Sequence, residues 1–72
     1  MNGFDYDLLL QTLGMMQERL RNLEENEYIT AYYKGYSNEG FTLEEIKDEI
    51  LSLTQEIKVI ENQLFDLDNE VL

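Results

Sequence analysis

The apolar residues of the second half of the chain recur in alternating steps of three and four, and this spacing most constrains the fold. They fall at positions 43, 46, 50, 53, 57, 60, 64, 67 and 71, which is four heptads without an error. Such spacing places apolar side chains on one face of a long α-helix and is typical of coiled-coil contacts. We therefore predict a second helix over about 42–70 whose apolar face, here called its seam, packs on another helix.

Local sequence signals mark where this helix begins. Thr42 and Glu45 have the spacing of a capping box, in which each side chain bonds the backbone N–H of the other residue. Phe41 and Ile46 have the spacing of a hydrophobic staple. Gly35 is a natural stop for the preceding helix, and residues 37–40 have the composition of a turn.

The first half of the chain contains a matching apolar seam and predicts a first helix over about 4–33. Pairing Tyr6 with Leu67 in an antiparallel hairpin leaves apolar residues opposite one another as far as Leu23 and Ile50. This register places Arg19 near Glu56. The sequence thus predicts an all-α antiparallel helical hairpin of coiled-coil type, a single domain over 1–72. Its assembly seam consists of Leu9, Leu13, Met16, Leu20, Leu23, Ile50, Leu53, Ile57, Ile60 and Leu64.

Apolar residues outside the two seams predict self-association. A chain of 72 residues with neither cysteine nor histidine has no disulfide and no ordinary zinc site to stabilise it. Dimerisation into a four-helix bundle would cover the apolar residues that a lone hairpin exposes. These are Leu8, Leu10, Met15, Leu51, Val59 and Phe65. Gly14 either permits close approach of another helix or is a tolerated surface glycine.

The region around 28–41 is rich in tyrosine, and the sequence leaves its structure open. Helix 1 continues through it if the heptads shift by a four-residue stutter, whereas tyrosine, isoleucine and threonine also favour a short strand over 28–33. The register puts the polar residues Glu27 and Thr30 opposite Ile46 and Leu43. Other residues must therefore cover the apolar side chains of Ile46 and Leu43. The aromatic set either caps the hairpin or binds a protein partner, because tyrosine is common in interaction hot spots. It comprises Tyr28, Ile29, Tyr32, Tyr33, Tyr36 and Phe41.

Charge restricts the class of partner. Sixteen acidic against five basic residues give a formal net charge of −11, which disfavours direct binding to nucleic acids or anionic membranes. Such a surface attracts basic proteins, although solubility alone also explains the acidity and is the favoured explanation. The acidic residues that would mediate such contact are Glu44, Glu45, Asp48, Asp66 and Asp68. The absence of cysteine, of a signal sequence and of a long apolar span predicts a cytoplasmic protein.

Enzymatic chemistry is disfavoured because nucleophilic triads need histidine or cysteine, and no phosphate-binding loop is present. No cofactor or metal is expected. Residues 53–57, Leu-Thr-Gln-Glu-Ile, resemble the Leu-Ser-Gln-Glu-Leu-Asp signature of the small sporulation phosphatases that act on aspartyl phosphate, which are short helical hairpins; Lys58 replaces the essential aspartate. We expect a non-enzymatic adaptor or assembly factor. The alternative is an acidic, phage-type inhibitor that occupies the basic surface of a nucleic-acid-binding enzyme, as a DNA mimic does.

Overall fold

The protein is a helical hairpin. The computed structural model describes the backbone of residues 3–71 and the side chains of residues 5–67. Helix α1 spans Gly3–Asn22, a π-helical segment spans Leu23–Glu27, α2 spans Tyr28–Lys34 and α3 spans Leu43–Val71. The first three form one arm and α3 forms the other. The all-helical prediction is confirmed, and the strand alternative for 28–33 is wrong, because no strand occurs in the described backbone.

Helix α3 begins with the predicted capping box. The Glu45 carboxylate accepts from the backbone N–H of Thr42 at 3.0 Å, and the Thr42 hydroxyl accepts from the backbone N–H of Glu45 at 3.3 Å. Phe41 and the buried Ile46 pack in the same apolar cluster, as a staple requires. These local interactions fix the direction in which the chain enters its longest helix.

The connection between the arms is a compact turn over residues 35–42. Gly35 ends α2 in the left-handed conformation, with φ of 92°, and its N–H donates to the Ala31 carbonyl at 2.8 Å. Ser37 then organises the turn: its N–H donates to the Phe41 carbonyl at 2.7 Å, and its hydroxyl accepts from the backbone N–H groups of Glu39 and Phe41. The buried serine hydroxyl therefore pairs with backbone N–H groups of the turn that would otherwise lack a hydrogen-bond partner.

The most deeply buried side chains lie near this turn. Leu23, Ala31 and Ile46 form the centre of the cluster. Partly buried neighbours surround them, namely Tyr28, Phe41, Leu43, Ile50 and Leu53. Toward the other end of the hairpin, the α3 seam stays buried at Ile57, Ile60, Leu64 and Leu67. The α1 seam is only half-buried at Leu9, Leu13, Met16 and Leu20.

The predicted pairing of Arg19 with Glu56 is wrong. Arg19 binds Glu49 instead, at 3.2 Å, and also Glu39 of the turn. Glu49 lies seven residues before Glu56, which is two helical turns nearer the start of α3. The seam spacing was insufficient here, because it pairs the apolar layers and does not determine which flanking carboxylate a long arginine side chain reaches.

The π-helical segment changes which residues of the first arm face α3. Its defining hydrogen bond runs from the Tyr28 N–H to the Leu23 carbonyl, five residues back. A π turn contains more residues than an α turn, so positions four apart stay on nearly the same face. Leu23, Glu27 and Ala31 are consequently all buried. This stripe is the face of the first arm that packs on α3, whereas Tyr32 and Tyr36 are exposed.

Gly14 does not mark a close helix contact in the described structure. A Cβ built on it would meet nothing within 4 Å. The off-seam apolar residues are likewise exposed, and they are Leu8, Leu10, Met15, Leu51, Val59 and Phe65.

Candidate interaction surface at the hairpin tip

Large apolar and aromatic side chains are concentrated on the outer surface of α2 and the start of the turn. Ile29, Tyr32, Tyr33 and Tyr36 are 50%, 64%, 80% and 60% exposed. We call these four residues the tyrosine patch. Most aromatic surface is buried in a stable domain, so this much exposure within eight residues is characteristic of a binding surface.

The remaining two members of the predicted aromatic set have a different role. Tyr28 and Phe41 are half-buried and pack against the cluster formed by Leu23, Ala31 and Ile46. They cover the apolar start of α3, which is the capping role that the sequence left open for all six residues. The structure therefore divides the set, because α2 turns one face toward α3 and the other toward solvent.

The tyrosine patch has a defined internal geometry. The rings of Tyr32 and Tyr33 meet edge to face, with centroids 5.2 Å apart and an interplanar angle of 82°. Such T-shaped pairs are favoured by the quadrupoles of the rings. A pair held in this way loses less conformational freedom on binding than two free side chains would.

An ion-pair network also fixes the turn to α1 and α3. Nη1 of Arg19 donates to Glu39 Oε1 at 2.7 Å, and its Nε donates to Glu49 Oε1 at 3.2 Å. One guanidinium thus joins α1, the turn and α3. The hydrogen bonds with Glu39 and then with Glu49 hold the pKa of Arg19 above its ordinary value.

The same network lowers the pKa of Glu39. The hydrogen bond from Arg19 is the main cause, and a side-chain hydrogen bond with Glu27 acts in the same direction. Glu39 is therefore held at the junction between the turn and the first arm, with partners on both sides.

Glu27 is a buried structural residue. In the sequence, its only signal was a poor match to the apolar seam. Its side chain is 5% exposed, and Oε2 has no hydrogen-bond partner in the described part of the chain. The π turn causes this burial, because it rotates Glu27 into the stripe that faces α3. The predicted position of Glu27 opposite Ile46 was the sequence signal for its burial. The heptad spacing could not reveal the π turn that causes it.

The predicted acidic surface divides in a similar way. Glu44 lies 3.8 Å from Lys47, and Glu45 is engaged by Thr42, whose backbone and side-chain hydrogen bonds lower the pKa of Glu45. Asp48 and Asp66 are exposed on α3. The Asp68 side chain lies outside the described residues. Neutralising Glu45 would consequently disturb the helix start as well as the surface charge.

The described side chains include no group of three or more acidic, histidine or cysteine residues placed to hold a metal ion. No helix in the described chain has the length and hydropathy needed to cross a bilayer. The segment that resembles the phosphatase signature lies within α3, where Leu53 and Ile57 belong to the seam and Lys58 is exposed.

Comparisons with protein-family models, with curated proteins and with solved structures gave no significant match.

Proposed function

We propose that the protein is a non-enzymatic interaction module, a small adaptor or assembly factor whose tyrosine patch contacts a protein partner. The exposure of three tyrosines and one isoleucine on a braced hairpin tip supports this function. Tyrosine contributes a large contact area with few rotatable bonds, and it is enriched among residues that dominate binding energy.

The interactions that hold the tip in place favour the interpretation that its exposed residues bind a partner. Gly35 and Ser37 fix the turn, while Arg19 ties Glu39 to both arms. A preorganised surface needs less ordering when a partner binds, so more of the contact energy appears as affinity.

An affinity capture with matched bait variants tests this function. Wild-type protein and the Tyr32→Ala, Tyr33→Ala and Val59→Ala variants are used to capture proteins from the native host. Val59 is the control because it is an exposed apolar residue of α3, away from the tip. We expect the specific partner to be lost with both tyrosine variants and retained with Val59→Ala. Retention by all variants would contradict the proposal.

Charge supports a second candidate function, inhibition of a nucleic-acid-binding enzyme by presentation of carboxylates to its basic surface. The net charge of −11 and the exposed Asp48 and Asp66 favour it. Binding of this kind weakens steeply as salt rises, since it depends on screened charge attraction. It should also weaken when Glu44, Asp48, Asp66 and Asp68 are neutralised, whereas contact through the tyrosine patch should tolerate salt.

We further propose that two hairpins associate as a cytoplasmic dimer, forming a four-helix bundle. The exposed apolar residues of both arms support this assembly, because a second hairpin would remove part of this surface from water.

A further inference from the structure

The two sides of the α3 seam differ in charge. Positions directly before the seam residues contain five carboxylates, at Glu45, Glu49, Glu56, Asp66 and Glu70, whereas positions directly after them contain three, at Glu44, Glu61 and Asp68. The positions directly after the six seam residues from Ile46 to Leu64 form a stripe of six exposed side chains. This set, called the lysine stripe, consists of Lys47, Leu51, Thr54, Lys58, Glu61 and Phe65. It contains every lysine of α3 and one carboxylate.

The lysine stripe combines low charge with apolar surface. Leu51 and Phe65 are 59% and 65% exposed. Lys58 makes no ion pair with any described residue. On a chain of net charge −11, repulsion between two copies is weakest where carboxylates are fewest. The acidic side of the seam is also where Glu49 binds Arg19, which leaves the lysine stripe open.

Sequence positions within the stripe are symmetric about Lys58. Leu51 precedes it by seven residues and Phe65 follows it by seven, so both lie about 10 Å from it along the same face. A two-fold axis through Lys58 would place each Leu51 against the Phe65 of another copy. An interface between identical chains requires this self-complementarity.

We propose that a second copy of the chain docks on the lysine stripe, with the two α3 helices antiparallel about Lys58. This inference rests on the dimer proposed above and assigns its contact surface to the lysine stripe, so Val59 and the exposed apolar residues of α1 stay outside the interface. The two Lys58 ammonium groups lie near the axis, and each extends along the helix toward Glu61 of the other copy, one turn away. Leu51 and Phe65 supply the apolar contacts on both sides.

Sedimentation equilibrium of the full chain measures the assembly. We expect twice the 8.6 kDa chain mass for the wild type. Leu51→Glu and Phe65→Glu should each weaken association by about tenfold or more, because each variant removes two symmetry-related contacts. Val59→Glu is the matched control, since Val59 precedes a seam residue, and it should leave the mass unchanged. Circular dichroism verifies that every variant is folded.

Cysteine cross-linking tests the geometry, and the natural absence of cysteine makes it specific. Lys58→Cys should form a disulfide-linked dimer by itself. Leu51→Cys should form one readily only when mixed with Phe65→Cys, because two Leu51 positions would lie about 20 Å apart. Efficient self-linking of Leu51→Cys, or equal damage from Val59→Glu and Leu51→Glu, would overturn the proposal.

The outcomes also separate this surface from the tyrosine patch. A wild-type protein that remains monomeric at all concentrations would overturn the lysine-stripe dimer. If such a monomer still lost its partner on Tyr33→Ala, the tip function would stand alone. A dimer broken by Leu51→Glu with no partner affected by Tyr33→Ala would support the stripe and contradict the tip.

Discussion

Glu27 is a carboxyl group placed within an apolar stripe, between Leu23 and Ala31. Burial of a polar group without a full set of hydrogen bonds costs free energy, and Oε2 of Glu27 has no described partner. Replacement of such a group by an apolar residue of similar length is often stabilising. We therefore expect the buried Glu27 carboxyl group to lower the free energy of unfolding, while its contact with Glu39 links the first arm to the turn.

We expect Glu27→Met to raise the free energy of unfolding by about 1–2 kcal/mol. Urea denaturation monitored by circular dichroism measures it, at fixed protein concentration so that association does not contribute. Glu25→Met is the control, because Glu25 is exposed in the same π-helical segment. A loss of stability in Glu27→Met would mean that its bond to Glu39 outweighs the buried oxygen.

Glu45 gives the helix start a dependence on pH. Its folded-state pKa lies below the ordinary value of 4.5 because Thr42 donates to the carboxylate. The unfolded state therefore takes up the proton first as pH falls. The contribution is fully present above about pH 4.5 and is lost as pH falls through the folded-state pKa.

A comparison of Glu45→Gln with the wild type measures this contribution. The variant should be less stable near pH 7, and the difference should shrink at about pH 3. Glu44→Gln is the neighbouring control, since its carboxylate takes no part in the capping box. A difference that stays constant over this range would contradict the linkage to Thr42.

At the scale of elements, Arg19 joins α1 to α3 through an ion pair. Its guanidinium binds Glu49 at 3.2 Å, and its side chain is 30% exposed. A partly exposed pair of this kind is worth about 1 kcal/mol or less. A double-mutant cycle with Arg19→Gln and Glu49→Gln should therefore give a coupling energy of roughly 0.5–1 kcal/mol. The cycle with Glu56→Gln should give none, and coupling to Glu56 instead would restore the originally predicted ion pair.

Two glycines on the same arm should respond to substitution in opposite directions. Gly14 lies within α1 with open space around it, so Gly14→Ala should stabilise the protein by up to about 1 kcal/mol. Gly35 ends α2 at a positive φ of 92°, so Gly35→Ala should destabilise it by about 1 kcal/mol. Thermal unfolding of both variants tests the pair. Destabilisation by Gly14→Ala would indicate a close contact made by that glycine in the assembled protein.

At the scale of the whole molecule, the net charge of −11 opposes both folding and association. Raising the ionic strength from about 0.01 M to about 0.15 M shortens the Debye length from roughly 30 to 8 Å. We expect a higher midpoint of thermal unfolding at the higher salt, because the described residues form few ion pairs that screening could weaken. The sulfate and chloride salts of sodium, compared at equal ionic strength, separate screening from salting-out. A lower midpoint in chloride would mean that ion pairs outweigh self-repulsion.

The sequence by itself determined the helical hairpin, the start of α3 and the stop at Gly35. These features depend on neighbouring residues: heptad spacing, a capping box and a left-handed glycine act over one or two turns. Only the tertiary structure decided the partner of Arg19 and the division of the aromatic residues. Heptad spacing pairs the apolar layers, so it cannot distinguish Glu49 from Glu56 as the partner of Arg19. The π turn at 23–27 then set which side of α2 met α3, burying Glu27 and leaving Tyr32, Tyr33 and Tyr36 in solvent.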